Sequence, residues 1–366
     1  MSSEYNLDTY VEYLIKELEV LYQLWGSKPL QFSTMMFGWG TASIFTASQL
    51  DTLFAWLYQY MDRSSLEQVS FEGSPSTITP AKIDVFKAYG VHRISIGVQS
   101  FQVEVMEANN RVFVSYEKIQ TLIEYIHSVG LLVQIDLMIG IKWQNETNCI
   151  DDYKKMIDLK VDSYTMNYYI PHGFANFSDT KTSLMLKEKI RTLDKKRNHI
   201  TADTNAYLLQ EEYVFNNFNY SVVWLWVGAT SNIGNTLIYR KTDFENYYSS
   251  LDNGRLPSDD GIIMSPRFVY IKYIFEKYKQ GYIEYSDFKT HFWCEIQSEF
   301  ASELEFLVTE GVVELQEDRI VFLKNRLENR IYLNVFLQDI IEAKWPIHIP
   351  DLDAQFHLDL TGLVYE

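Results

Sequence analysis

Residues His92–Ser100 read HRISIGVQS. On an extended chain Ile94, Ile96 and Val98 share one side, and Ser95, Gly97 and Gln99 share the other. Two other segments repeat the pattern. In VQIDLM the aliphatic side is Val133, Ile135 and Leu137, and the polar side is Gln134 and Asp136. In EQVSFEG, Val69 and Phe71 oppose Ser70 and Glu72. A parallel sheet buried between two helix layers is apolar on both faces. Strands that are aliphatic on one face, with polar groups near their ends on the other, predict a barrel or partial barrel. Helices then lie outside, a ligand cavity inside, and chemistry at the C-terminal rim.

The flanking segments complete the alternation. LDTYVEYLIKELEVLYQLW (Leu7–Trp25) has the spacing of an amphipathic helix. FSTMMF reads as a buried strand, and TASQLDTLFAWLYQYM as a helix opened by a Thr or Ser cap. TPAKIDVFKAYG is a helix with Thr79 as N-cap, Pro80 at its first position and Gly90 at its end. SYEKIQTLIEYIHSVG and NETNCIDDYKKMIDL are helices, and VDSYTMNYYIP is a strand. The chain divides into a β/α region over residues 1–180, a looser connecting region over 181–270, a unit over 271–345 and a tail over 346–366. The third segment predicts a winged-helix-like α+β arrangement, with a turn at Gly311 and a hairpin around Glu317-Asp318.

Bulk properties narrow the function classes. The chain has 366 residues and a net charge of −17, which disfavours nucleic acid and anionic lipid as partners. The winged-helix-like unit has no basic helix to lay on phosphates, so a packing role is expected of it. Lys195, Lys196 and Arg197 read as a solvated helix end. No apolar run reaches the roughly 18 residues of a spanning helix, and the N-terminus lacks a signal-peptide pattern. A cytoplasmic location is expected. Cys149 and Cys294 are the two cysteines; two thiolates do not make the usual iron–sulfur ligand set, and both read as packing residues.

Five motifs, in order, resemble those of the HemN/HemW family of radical S-adenosylmethionine (SAM) proteins. FGWGTAS (Phe37–Ser43) is similar to FGGGTPS, FEGSPSTIT to EANPGTLT, and HRISIGVQSF to NRLSIGVQSF. NNRVF stands where the family has Gly-Arg or Asn-Arg, and IDLMIGIKWQ resembles IDLMYGLPGQ. The segment from Leu307 to Leu337 resembles the family's C-terminal region. The resemblance spans nearly the whole chain. It implies an α/β fold: a partial (β/α) TIM-like barrel of the radical SAM type, with the first strand missing, plus the winged-helix-like region.

The resemblance also implies a SAM pocket. Gly38, Trp39, Gly40 and Thr41 form the turn facing the methionine end, and Glu72, Gln99, Arg111 and Asp136 match polar positions that contact SAM. The chemistry agrees: a carboxylate suits the ammonium, Arg the carboxylate, and Gln or Asp the ribose diol. Tyr164, Asn167, Tyr169 and His172 are placed at the rim as candidate catalytic groups toward a small-molecule acceptor.

The chain departs from the family in one defining element. The CxxxCxxC loop that holds a [4Fe–4S] cluster has no counterpart, so no cluster and no other metal is expected here. Trp39 replaces a glycine and Ala42 a proline. Without a cluster, SAM is open to polar chemistry such as methyl or other group transfer. The alternatives are a non-catalytic SAM- or haem-binding protein, or a radical enzyme whose cluster segment is absent from this chain. Loss of the first strand leaves QFSTMMF as a sheet edge, which the C-terminal tail or a second subunit is expected to cover.

Overall fold

The computed structural model describes residues 6–38, 41–168, 186, 189–190, 193, 200–201, 206–208, 222–233, 236–278, 281–324, 332–337 and 347–350. By its contacts the chain forms two compact units, Met1–Asn216 and Asn217–Glu366.

The first unit is built on β/α repeats. Helix α1 (Leu7–Leu24) begins at Asn6, whose side chain accepts a hydrogen bond from the Asp8 N–H. Strand β1 (Thr34–Phe37) leads into α2 (Ala47–Tyr60), which opens on a reciprocal Thr46–Gln49 capping box. Then follow β2 (Gln68–Gly73), α3 (Pro80–Ala88), β3 (Arg93–Gln99), the short α4 (Val103–Ala108), α5 (Tyr116–Ser128), β4 (Leu132–Ile139), α6 (Glu146–Asp158) and β5 (Ser163–Tyr168). Thr79 takes the N-cap backbone conformation of α3 but makes no side-chain cap bond. Gly90 has φ +75°, as a helix-ending glycine should.

The strands run in the order β1-β2-β3-β4-β5, all parallel. Two short strands, β6 (Ile200–Thr201) and β7 (Ala206–Leu208), extend the sheet antiparallel beyond β5. The β/α unit therefore does not end near residue 180 as expected, because Leu208 pairs back onto Ser163.

Register fixes which face is which. Phe37, Phe71, Ile94 and Val133 lie in line across four strands. Their side meets the helices: the Phe71 ring lies 4.1 Å from that of Phe86 on α3, and Phe37 lies 4.6 Å from Phe54 on α2. The opposite side carries the row Glu72, Ser95, Gln134 and Ser163, and beside it Gly97, Asp136 and Thr165. The alternation read from the sequence is thus the division between helix layer and inner face.

The second unit opens with a hairpin of β8 (Thr230–Ile233) and β9 (Thr236–Arg240), followed by a helix over Phe244–Asp252 and β10 (Ser258–Ile263). Next comes a three-stranded antiparallel sheet of β11 (Tyr282–Glu284), β12 (Val313–Leu315) and β13 (Arg319–Phe322). It packs with helices around Phe288, Phe300, Leu304, Leu307 and Val312, and Gly311 turns at φ +61°. Last, β14 (Ile347–Pro350) pairs antiparallel with β10. The segment read as the start of a tail is therefore a strand of this unit's four-stranded sheet, and residues 351–366 lie outside the described residues. No described helix is long and apolar enough to cross a membrane.

Candidate functional site

Strands β2 to β4 turn three of the predicted polar groups, Glu72, Gln99 and Asp136, to one face. Gly38 follows β1 directly and lies against Glu72 at the end of β2. A Cβ added to Gly38 would sit 2.5 Å from Glu72 Oε2 and 2.8 Å from Met36 Cε. Only glycine lets the half-buried carboxylate lie over that turn. Thr41 is exposed, with no capping bond from its hydroxyl to the short turn Ala42–Ile44 that follows. Trp39 and Gly40 lie outside the described residues.

The turn is anchored from beneath. Ser43, fully buried, accepts at Oγ from the Ser74 N–H (3.0 Å) and shares a hydrogen bond with Thr77 Oγ1 (2.5 Å). Lys82 on α3 donates to the Ser43 and Thr77 carbonyls, each at 2.7 Å. Burial lowers the Lys82 pKa, since nothing anionic is among the causes of its shift. One buried ammonium thus ties the loop after β1 to the loop after β2.

Asp136 lies on the inner face of β4, nearly inaccessible. It accepts from Ser95 Oγ (2.7 Å) and Gln134 Nε2 (2.8 Å). Gln134 in turn accepts from Arg93 Nη1 (2.6 Å) and donates to Thr165 Oγ1 (3.0 Å). Burial raises the Asp136 pKa, opposed by its Gln134 and Ser95 donors and by the Arg93 charge. Asp136 is thus part of a buried network of hydrogen-bonded polar groups on the inner face, not of the apolar packing on the helix side.

Gln99 reaches this face by an unforeseen route. The β3–β4 register shifts between Gly97 and Gln99, so Gln99 falls opposite Leu137, a residue of the helix side. Its φ of +68° then turns the side chain back: a Cβ on Gly97 would lie 2.7 Å from Gln99 Nε2. Simple alternation placed Gln99 correctly, but the placement is made by a bulge and a left-handed residue.

Arg111 is exposed on the loop after α4, and its side chain makes no hydrogen bond or ion pair within the described residues. That loop is clasped to the one after β4: Asn109 donates to the Lys142 carbonyl (2.9 Å) and accepts from the Lys142 N–H (3.1 Å). The first loop lies in the connection that leaves the carboxyl end of β3 through α4, and the second leaves that of β4.

Tyr164 is not at the rim. It pairs with Ile135 on the helix side, is 0% exposed, and meets the Tyr153 ring of α6 edge-on at 6.0 Å. The parity that turns Asp136 and Thr165 inward turns Tyr164 outward; Asn167, two residues beyond Thr165, shares the inner side. Tyr169 and His172 lie outside the described residues, as do Lys195–Arg197.

Sequence reasoning passed over Trp143. It stands at the last glycine of the quoted LPGQ, adopts φ +66°, and is 67% exposed on the loop after β4. A bulky residue there is strained, and its place at a glycine of the motif was the signal. The two cysteines do not fit a cluster. Cys149 is 1% exposed on α6 with its thiol pushed up to about 12 by burial, and Cys294 belongs to the other unit. Among the described residues no group of His, Cys, Asp and Glu could hold a metal ion.

A five-stranded parallel β/α sheet with polar groups near its carboxyl ends is an open, partial (β/α) barrel. The sequence matches no family model. It is 23% identical over 327 residues to the oxygen-independent coproporphyrinogen III oxidase of Helicobacter pylori, covering 81% of this chain and 71% of that protein. The Pseudomonas aeruginosa oxidase is 22% identical over 349 residues, covering 84% and 73%. Heme chaperone HemW of Lactococcus lactis is 28% identical over 156 residues, covering 42% and 39%. The solved coproporphyrinogen III oxidase (HemN) of Escherichia coli superposes with a TM-score of 0.78 over 92% of this chain and 84% of that one, at 19% identity. In sequence the chain is thus similar to oxygen-independent coproporphyrinogen III oxidases and heme chaperones HemW, and in fold to HemN.

Proposed function

We propose that the chain binds SAM at the carboxyl ends of β1 to β4 and carries out polar, non-radical chemistry with it, transferring a methyl or other group to a small molecule. The observation that supports this reading most is the convergence of Glu72, Gln99 and Asp136 on one face, with Gly38 and Gly97 leaving room for two of these side chains. Glu72 suits the ammonium of SAM, Arg111 its carboxylate, and Asp136 or Gln99 its ribose diol. When bound, SAM supplies a methyl group already activated by its sulfonium, so positioning can carry much of the rate. The two cysteines of this sequence, Cys149 buried in the first unit and Cys294 half-buried in the second, do not suit a [4Fe–4S] cluster. A second copy of the chain on the open edge of β1 belongs to the same proposal.

A second reading is a non-catalytic binding protein; alignment with proteins named heme chaperone HemW favours it. Calorimetry with SAM is the first test: no binding by folded protein sinks the main reading. Incubation with SAM in air, followed by mass spectrometry, is the second. S-adenosylhomocysteine or methylthioadenosine in the presence of an acceptor marks an enzyme, and binding without product marks the second reading.

A further inference from the structure

The segment that carries Gln99 is held in a strained form by a residue on another element. The Ser100 N–H donates to the Val98 carbonyl at 2.8 Å, two residues back, with Gln99 between them at φ +68°. That is a γ-turn of the positive-φ kind, rare and strained. It persists only where its surroundings over-determine it.

The surroundings are Asp152. This carboxylate on α6 is 2% exposed. It accepts from Ser100 Oγ (2.6 Å), the Phe101 N–H (2.9 Å) and Gln102 Nε2 (2.9 Å), taking three donors from the three residues after Gln99. Its pKa is raised by burial, and the Ser100, Gln102 and Phe101 donors oppose the rise. The bonds to Ser100 and Phe101 fix the chain where it must reverse for the Gln99 amide to come back over Gly97.

We propose that Asp152 is a positioning residue for ligand recognition: it acts through Gln99, holding the γ-turn that aims the amide over Gly97 on the inner face. The proposal rests on the SAM reading for its ligand, though not for its geometry. Loss of Asp152 should matter to SAM only while Gln99 has a side chain to aim. A residue that merely stabilised the barrel would matter equally either way.

A double-mutant cycle read by SAM calorimetry, with thermal unfolding alongside, decides this. Asp152→Ala is expected to weaken SAM binding tenfold or more in the natural background, and less than twofold in a Gln99→Ala background. Equal losses in both overturn the proposal. If Asp152→Ala does not fold, Ser100→Ala removes one donor and is expected to show the same pattern, reduced to a few-fold. If the unsubstituted protein binds no SAM, the proposed function fails, and a crystal structure of Ser100→Ala or Asp152→Ala decides the positioning role. Gln99 at negative φ supports it; Gln99 still left-handed over Gly97 overturns it.

Discussion

Phe71 and Glu72 are chain neighbours in different media. Phe71 is fully buried, tilted 4.1 Å from Phe86 and stacked 5.5 Å from Phe37, in a layer of aromatic and aliphatic groups beneath the helices. Glu72 is half-buried on the inner face, against Gly38 and in line with Ser95 and Gln134. The same strands thus serve two purposes one residue apart. The helix face holds the fold, through area removed from water and close packing. The inner face carries polar side chains bonded to one another, and it is where the proposed SAM site lies. The division implies that the two faces fail separately.

Truncation on the helix face should cost most. Phe71→Ala is expected to destabilise the protein by about 3–5 kcal/mol, as buried Phe→Ala changes do; urea unfolding measures it. If SAM affinity falls sharply while stability holds, the two faces are not separate. On the inner face, Gly38→Ala and Gly97→Ala would push aside the far ends of Glu72 and Gln99 rather than backbone. Each should weaken SAM binding tenfold or more with the unfolding midpoint almost unchanged. Gly73→Ala is the control: its Cβ would meet the pinned Ser43 at 2.5–2.6 Å, so there stability should fall as well.

The pH dependence of stability sharpens the contrast. Burial raises the Asp136 pKa, so the folded protein keeps that proton at pH values where the unfolded chain has released it. Its contribution to stability is therefore present at acid pH and declines as pH rises from the ordinary carboxylate range through the raised value. Within that window each tenfold fall in proton concentration removes about 1.4 kcal/mol. Asp136→Asn has no proton to lose. The gap between the variant and the natural protein, followed by urea titration from pH 3 upward, should change in that window and be level above it. A gap independent of pH would mean that the Ser95 and Gln134 donors and the Arg93 charge cancel the effect of burial. The smallest effect is at the rim: Trp143→Gly relieves a left-handed tryptophan and should raise stability by about 1 kcal/mol.

The sheet was legible because its period is two and its faces differ; Glu72 and Asp136 follow from parity alone. Tyr164 was misplaced by a reading that took its chemistry before its parity, since Tyr164 and Asn167 cannot face the same way on one strand. The bulge at Gln99 inserts a single residue and leaves no mark in the local hydrophobic pattern, so only the pairing with β4 exposes it. The hairpin of β8 and β9 was read as loose chain, although Gly234-Asn235 between two short β-rich runs is a two-residue hairpin signal. The hydrogen bonds of Asp152 were beyond the sequence, because its partners lie about fifty positions away along the chain.

Strand β1 stands at the margin of the sheet, with β2 on one side and no described strand on the other, and its Met36 is exposed. The consequence concerns dilution. If a second copy occupies that margin, folding and association are one equilibrium, and the melting temperature climbs with protein concentration. A melting temperature that stays level over a hundredfold dilution means each molecule is complete on its own. The four residues of β1 thereby decide whether the protein's stability is a property of one chain or of its concentration.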